Sequence, residues 1–270
     1  MAHPDANAYP GKTFDGRWEV GEYLGEGNFS IVFKGLDLLD GTDCAIKVLS
    51  ITRRATECLL EFERDADLLG RLSGSSNVVD LLGAGTYQME MQAEQTGLAI
   101  PLEVSYIVLE RADTDLSRLL TKRKAIDWED RIALFRDIAK GLHQMHLQYL
   151  VHRDLKGDNV LVMREKGRAI AKISDFGRGR DTKDSSFFPT SAYELGRGDL
   201  RFAPPEFLWG LGSDNADSMR CADLYLLGSI LFEIATGQGL AGLVFGNPLR
   251  IAEAKRELNP SQRQADYKTV

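Results

Sequence analysis

His152-Arg153-Asp154-Leu155-Lys156-Gly157-Asp158-Asn159 is the stretch on which the reading of this chain turns. An amphipathic run precedes it, and a β-branched run, Val160-Leu161-Val162-Met163, follows. Sixteen residues beyond Asn159 stands Asp175-Phe176-Gly177. A charged triplet after a helix is, by itself, only a polar turn. That reading leaves unexplained the asparagine, the second acidic motif and the hairpin pattern between them. The hairpin reads as a strand at 160–162, turn residues over 164–168, and Ala171-Lys172-Ile173 leading into the second motif.

Upstream the pattern is that of a small sheet. Apolar residues alternate at Trp18, Val20 and Tyr23-Leu24, followed by Gly25-Glu26-Gly27-Asn28-Phe29-Ser30 and then Ile31-Val32-Phe33: strand, glycine turn, strand. Asp40-Gly41 predicts a tight hairpin turn before Cys44-Ala45-Ile46-Lys47-Val48-Leu49. Over 52–72, Ala55, Cys58-Leu59, Phe62, Ala66 and Leu69 recur at helical spacing. Residues 81–90 and 104–109 predict two further strands. The polar segment between them, 91–101, with Gly97 and Pro101, reads as a surface loop.

After Glu110-Arg111-Ala112 the character turns helical. Asp127 is placed to cap a helix carrying Ile132, Phe135, Ile138-Ala139, Leu142 and Met145 on one face. Residues 181–198 lack periodicity, are rich in Ser and Thr, and read as a mobile loop ended by Pro204-Pro205-Glu206. Residues 221–236 are apolar nearly all round, which predicts a fully buried helix closed by Gly237. The last stretch, 247–270, is polar and weakly patterned. The expected fold class is α+β with two lobes. A flexible 1–16 precedes a five-stranded antiparallel lobe with one helix over 17–110. A mainly helical lobe over 111–246 and a polar segment over 247–270 complete a second lobe that looks short.

Composition narrows the classes. The net charge of −7 over 270 residues lacks the basic footprint of a general nucleic-acid binder. Cys44, Cys58 and Cys221 lie in apolar stretches without CxxC spacing and read as buried thiols of a reducing compartment. Residues 1–16 have no apolar signal core, and no run of eighteen apolar residues occurs. The expectation is a soluble, cytoplasmic protein.

Two positions carry electrostatic arguments. Lys47 lies amid Ala45, Ile46, Val48 and Leu49, and burying an unpaired cation is costly, so it needs a carboxylate. The helix over 52–72 offers Asp65, among the apolar stripe, or Glu61 one turn earlier. Asp223, inside the helix read as buried, needs hydrogen-bond partners for the same reason.

Together these segments resemble the eukaryotic-type serine/threonine protein kinase family over about residues 18–236. His152-Arg153-Asp154-Leu155-x-x-x-Asn159 matches the catalytic loop and Asp175-Phe176-Gly177 the second motif. Gly25-x-Gly27-x-x-Ser30-x-Val32 is similar to the glycine-rich loop, with serine in place of the third glycine. Glycines there let backbone N–H groups approach phosphates. The resemblance implies an ATP site between two lobes, lined by Gly25, Gly27, Phe29 and Ser30. Lys47 pairs with phosphates, and Asp65 stands where the family usually has glutamate. Leu24, Val32, Ala45 and Leu161 hold the adenine, Leu109 guards the back pocket, and backbone groups of Glu110 and Ala112 read the base edge. By the same resemblance Asp154 would accept the acceptor hydroxyl's proton, Lys156 fits the serine/threonine pattern, and Asn159 and Asp175 would hold Mg²⁺. His152 packs under Phe176, and Asp223 braces the catalytic loop.

Arg153 next to Asp154 resembles kinases switched by loop phosphorylation. The candidate acceptors for autophosphorylation are Ser185, Ser186, Thr190, Ser191 and Tyr193. Four departures weigh the other way: Ser30, Asp65, the short second lobe, and Asp199 where the family has threonine. A carboxylate at 199 repels Asp154 unless Lys156 or Arg201 compensates. The expected activity is Ser/Thr protein phosphorylation, with a protein substrate and scope for self-association through exposed apolar surface. The alternative is a pseudokinase serving as a nucleotide-binding scaffold. A small-molecule phosphotransferase ranks last, because such relatives typically lack the Pro-Pro-Glu segment.

Overall fold

Period-two alternation writes the first sheet and 3.6-residue periodicity the helices, in a chain that divides into two units. One unit is Met1–Ser75 with Val79–Ala112; the other is Ser76–Val78 with Asp113–Val270. The computed structural model describes residues 4–27, 29–51, 56–92, 99–122, 126–184, 199, 201–213 and 215–269.

In the first unit six antiparallel strands form one sheet: β1 (Thr13–Phe14), β2 (Trp18–Glu26), β3 (Ser30–Asp37), β4 (Asp43–Leu49), β5 (Leu81–Gln92) and β6 (Ala99–Glu110). Their order is β1-β2-β3-β4-β6-β5. Helix α1 (Thr56–Arg71) joins β4 to β5 in sequence. Alternation sorts β4 cleanly. Cys44, Ile46 and Val48 enter the core with Ile31, Phe33, Val104, Tyr106 and Val108, so Ala45 and Lys47 fall on the opposite face. The β3–β4 turn is wider than a two-residue hairpin. Asp37 N–H donates to Thr42 O at 2.9 Å, and Gly41 takes the left-handed conformation (φ 74°).

Three expectations need correction here. The sheet has a sixth strand, β1. Strands β5 and β6 extend into the segment read as a loop, taking in 91–92 and 99–101. And the leader is no loose arm: Tyr9 and Phe14 are fully buried. Phe14 stacks on Tyr87 at 4.4 Å between ring centroids, and Tyr9 meets Phe33 edge-on at 5.6 Å. Burying such rings contributes roughly 1.5–3 kcal/mol each, which offsets part of the conformational entropy lost in ordering this segment.

In the second unit β7 (Thr114–Asp115) leads into α2 (Leu116–Lys122) and α3 (Trp128–Leu147), followed by β8 (Leu150–Val151). A 3-10 turn over Gly157–Asn159 leads into the β9 (Val160–Glu165) and β10 (Arg168–Ile173) hairpin, then β11 (Arg180–Asp181). The sheets are β10-β9-β7 and β11-β8. The residues 76–78 join this unit, with Ile173 N–H donating to Asn77 O at 2.9 Å. Asp127 caps α3 as expected, accepting from Asp130 N–H at 2.9 Å. The buried face of α3 is rotated from the expected one: Leu134, Ile138, Leu142 and Met145 are buried, whereas Ile132 and Phe135 are half-buried.

The remaining helices among the described residues are α4 (Pro205–Leu208), α5 (Ala216–Thr236), α6 (Leu240–Phe245), α7 (Pro248–Arg256) and α8 (Pro260–Tyr267). Gly237 closes α5 at φ 75°, its N–H donating to Glu233 O at 2.7 Å. Helix α5 is covered on one side only. Met219, Ala222, Leu226, Ile230 and Ile234 are buried, but Cys221 and Leu224 are exposed. An all-round apolar helix has no pattern that says which face is covered. Cys58 is half-buried, so only Cys44 of the three thiols matches its expected burial. The weakly patterned 247–270 forms α7 and α8. Asn247 and Asn259 cap them, each followed by proline at the first helical position. Tyr267 of α8 packs edge-on against Trp209, whose indole N–H donates to Asp266 at 2.7 Å.

Candidate active site

The groups of the first unit centre on Lys47. On β4 it lies beside Val32 of β3 and Ile107 of β6. Its Nζ donates to Asp65 Oδ2 at 2.7 Å, with both residues buried. Asp65 shares the buried side of α1 with Phe62, Leu68 and Leu69. The helix therefore comes close enough for an aspartate to reach where a longer acid was the usual choice. Removing one partner of such a pair would strand a buried charge.

Around it, Gly25 lies opposite Val32, and the N–H of Gly27 donates to Ser30 O at 2.8 Å. Ser30 is buried, Phe29 half-buried, and Asn28 lies outside the described residues. Leu24 is exposed, while Val32 and Ala45 are half-buried on the sheet face away from the aromatic core. Leu109 is buried and pairs with Ala45. Glu110 exchanges two bonds with Asp80, its N–H donating to Asp80 O at 3.0 Å and its Oε1 accepting from Asp80 N–H at 2.8 Å. Ala112 is half-buried.

The second unit builds its site from α5 upward. Asp223, wholly buried, accepts from His152 N–H at 2.8 Å and Arg153 N–H at 2.8 Å. It also lies 3.0 Å from His146 Nε2 of α3. Arg153 sits in the left-handed region (φ 69°), a strained conformation for a long side chain that this bracing holds. His152 Nε2 bonds Ser174 O at 3.0 Å, and its ring lies 5.2 Å from that of Phe176. Ser174 donates from both N–H and Oγ to Asn159 O, at 2.9 and 3.0 Å. The two motifs are thereby stitched together through His152, Asn159 and Ser174.

Asn159 Nδ2 donates to Asp154 O at 2.7 Å, so its Oδ1 is turned away and takes no hydrogen bond among the described residues. Asp175 also adopts the left-handed conformation (φ 65°). Leu161 of β9 is half-buried. Gly157 is the one residue that fits its place. A Cβ there would lie 2.4 Å from Ser117 Oγ and 2.7 Å from Glu233 Oε1.

Asp154 itself is buried and held by ion pairs rather than short bonds. Lys156 Nζ stands 3.6 Å from its Oδ2 and Arg178 Nη1 3.8 Å from its Oδ1. Burial raises the proton affinity of Asp154 above the ordinary carboxylate range. Lys156 and Arg178 pull it down, and nearby Asp175 pushes it up again. A carboxylate poised upward in this way is a better proton acceptor. Asp199 behaves in the opposite sense. Burial alone would raise its pKa, but bonds from Arg201 and the charge of Lys156 outweigh that and hold it low. Both compensating groups named from the sequence are used: Arg201 Nε donates to Asp199 at 2.9 Å, and Lys156 Nζ is 3.9 Å away.

Two residues at this site were not read from the sequence. Arg178 follows the second motif directly, and a cation beside a motif carboxylate was its signal. His146 sits in the last turn of α3, where only the helix path turns it toward Asp223. The candidate phosphoacceptors Ser185, Ser186, Thr190, Ser191 and Tyr193 lie outside the described residues.

Comparison with known proteins points to one family. The model of the protein kinase domain family matches residues 18–257. The chain is 28% identical over 229 residues to a probable serine/threonine-protein kinase of Clostridium perfringens, covering 84% of this chain and 30% of that protein. It is 30% identical to a G-type lectin S-receptor-like serine/threonine-protein kinase of Arabidopsis thaliana, covering 87% of this chain and 26% of that one. A probable serine/threonine-protein kinase of Corynebacterium glutamicum is 28% identical over 82% of this chain and 32% of its own length. The chain thus spans about a third or less of the length of these three relatives.

Proposed function

The chain belongs to the protein kinase domain family, and on that premise we propose that it transfers the γ-phosphate of ATP to serine and threonine hydroxyls of a protein substrate, with Mg²⁺. The observation that carries this reading is Asp154: buried, raised in proton affinity, and flanked by Lys156 and by Asn159, whose Nδ2 donates to the Asp154 backbone carbonyl. Phosphoryl transfer asks a protein mainly for positioning and charge neutralisation. Asp154 orients the acceptor hydroxyl and takes its proton. Lys156 offsets charge on the transferred group. In the first unit Lys47, steadied by Asp65, holds nucleotide phosphates, beside backbone N–H groups of the glycine-rich turn. On its own sheet the first unit offers the base the apolar side chains of Leu24, Val32 and Ala45, with Leu109 paired to Ala45 and the Glu110 and Ala112 backbone to read its edge, and from the second unit half-buried Leu161 is the apolar candidate.

The donors present fit a magnesium ion. Among the described residues no group of three His, Cys, Asp or Glu forms a protein cage. Asn159 Oδ1 and the Asp175 carboxylate are hard oxygen ligands, of the number that Mg²⁺ takes when it keeps waters and substrate phosphates. When bound, the ion neutralises phosphate charge. The reading extends to autophosphorylation within 181–198, with Ser185, Ser186, Thr190, Ser191 and Tyr193 as acceptors. Mass spectrometry of active protein that finds all five unmodified removes that extension. Among the described residues no helix is long and apolar enough to cross a membrane.

Labelled-ATP transfer to generic basic and acidic proteins tests the reaction, with Asp154→Ala and Lys47→Ala alongside wild type. Both substitutions should abolish most transfer. Label transfer indifferent to either one ends the kinase assignment.

A further inference from the structure

Five side chains of the second unit form a line of alternating charge. Arg178 Nη1 stands 3.8 Å from Asp154 Oδ1, and Lys156 Nζ stands 3.6 Å from Asp154 Oδ2. The same Lys156 Nζ is 3.9 Å from Asp199 Oδ2, which Arg201 grips in turn. The far end is anchored. Asp199 accepts from Arg201 Nε at 2.9 Å and from Arg201 backbone N–H at 3.1 Å. The other three links are longer than hydrogen bonds. They are ion pairs among side chains that are one-fifth exposed or less, where charge is screened weakly.

The geometry has a mechanical consequence. Lys156 is drawn by two carboxylates and locked to neither. With Asp199 neutral, the remaining carboxylate paired to Lys156 is Asp154. The ammonium would then close on it to hydrogen-bond distance and occupy the oxygen that must receive a proton. Arg178 pulls the other oxygen of Asp154 from the opposite side, which fixes the rotation of the carboxylate.

Resting on the kinase reading above, we infer that Asp199 and Arg178 are positioning residues. Asp199 holds Lys156 off Asp154, in the place from which it meets the transferring phosphoryl group, and Arg178 sets the orientation of the proton-accepting carboxylate. An aspartate at 199 is then no liability. Its charge is balanced by Arg201 on one side and put to use through Lys156 on the other.

Steady-state kinetics of Asp199→Asn and Arg178→Gln test this, together with a probe that needs no activity. Each variant should lose about tenfold in kcat, as expected when a positioned acid–base group is displaced rather than removed. KM for ATP and for the acceptor protein should not change. Arg178→Lys should recover most of the loss. If Asp199→Asn proves unfolded by circular dichroism, Asp199→Glu replaces it. That variant keeps the charge but shifts it by one methylene, and should give a smaller fall in kcat. The second readout is the NMR resonance of reductively ¹³C-methylated Lys156, assigned by its disappearance in Lys156→Arg. It should move in both Asp199→Asn and Arg178→Gln. Wild-type kcat in both variants, a change confined to KM, or a Lys156 resonance that stays put each overturns the inference. If wild type transfers no phosphate, the kinase reading fails. The resonance still decides whether Asp199 and Arg178 position Lys156.

Discussion

Two buried aspartates in the same unit, Asp223 and Asp154, are held in opposite ways. Asp223 on α5 is surrounded by short contacts from His152 N–H, Arg153 N–H and His146, all within 2.8–3.0 Å. Asp154 has ion pairs at 3.6 and 3.8 Å and one long contact of 3.4 Å from Asn159. A carboxylate whose lone pairs are filled by backbone donors cannot change partners without breaking the loop it braces. One held by loosely placed cations can accept a proton and release it. The difference arises within a few residues of sequence, since His152 and Arg153 bond to the first and Asp154 is the second.

The largest effect should come from breaking the support. Asp223→Ala strands two buried backbone N–H groups and the side chain of His146. Unsatisfied buried donors cost about 1–3 kcal/mol each, so unfolding free energy should fall by about 3 kcal/mol or more. Denaturant titration measures it. A variant within about 0.5 kcal/mol of wild type would mean that the loop keeps its strained Arg153 conformation by other means.

Removing Asp154 should do the reverse, sparing the fold and stopping the reaction. Asp154→Ala should lower kcat by at least about a hundredfold, the lower end for a positioned acid–base group, which corresponds to about 2.7 kcal/mol of barrier. Its melting temperature should not fall. If Asp223→Ala and Asp154→Ala lost stability and activity in equal proportion, the contrast between them would collapse.

Much of that contrast was legible in the sequence, because it rests on motifs with fixed spacing. His152 and Arg153 bond to Asp223, and Ser174, just ahead of the second motif, bonds to Asn159. The cost of burying Lys47 demanded a carboxylate, met by Asp65. What failed has identifiable physical causes. Tyr9 and Phe14 are two rings in a polar leader, too few to make a period, yet they enter the aromatic core. Cys221 and Leu224 belong to a helix apolar all round, and such a pattern cannot tell the covered face from the bare one. Helices α7 and α8 are short and polar, but Asn247-Pro248 and Asn259-Pro260 were readable start signals that hydrophobic periodicity outweighed. Arg178 could be seen beside its motif, whereas its contact with Asp154 depends on how the chain turns after Gly177.

The smallest effect is the sharpest test of why Asp154 is held loosely. Its folded-state pKa is raised, by burial first and by Asp175, against the pull of Lys156 and Arg178. Well above both its folded and unfolded values, the carboxylate is ionised in either state, and its charge opposes folding. As the pH falls, the folded state takes up its proton first, so the penalty is relieved on passing through the folded pKa and gone below the unfolded one. Asp154→Asn, which cannot ionise, should therefore be more stable than wild type at neutral pH. The gain should be roughly 0.5–2 kcal/mol, the usual scale when a functional residue is traded for stability. The two proteins should converge as the pH drops into the carboxylate range. Denaturant melts of both at pH 7.5 and at a series of lower values measure the difference. A wild type as stable as the asparagine variant at pH 7.5 would mean that Lys156 and Arg178 already compensate the charge in full. In that case Asp154 would be held much as Asp223 is, by partners that satisfy it.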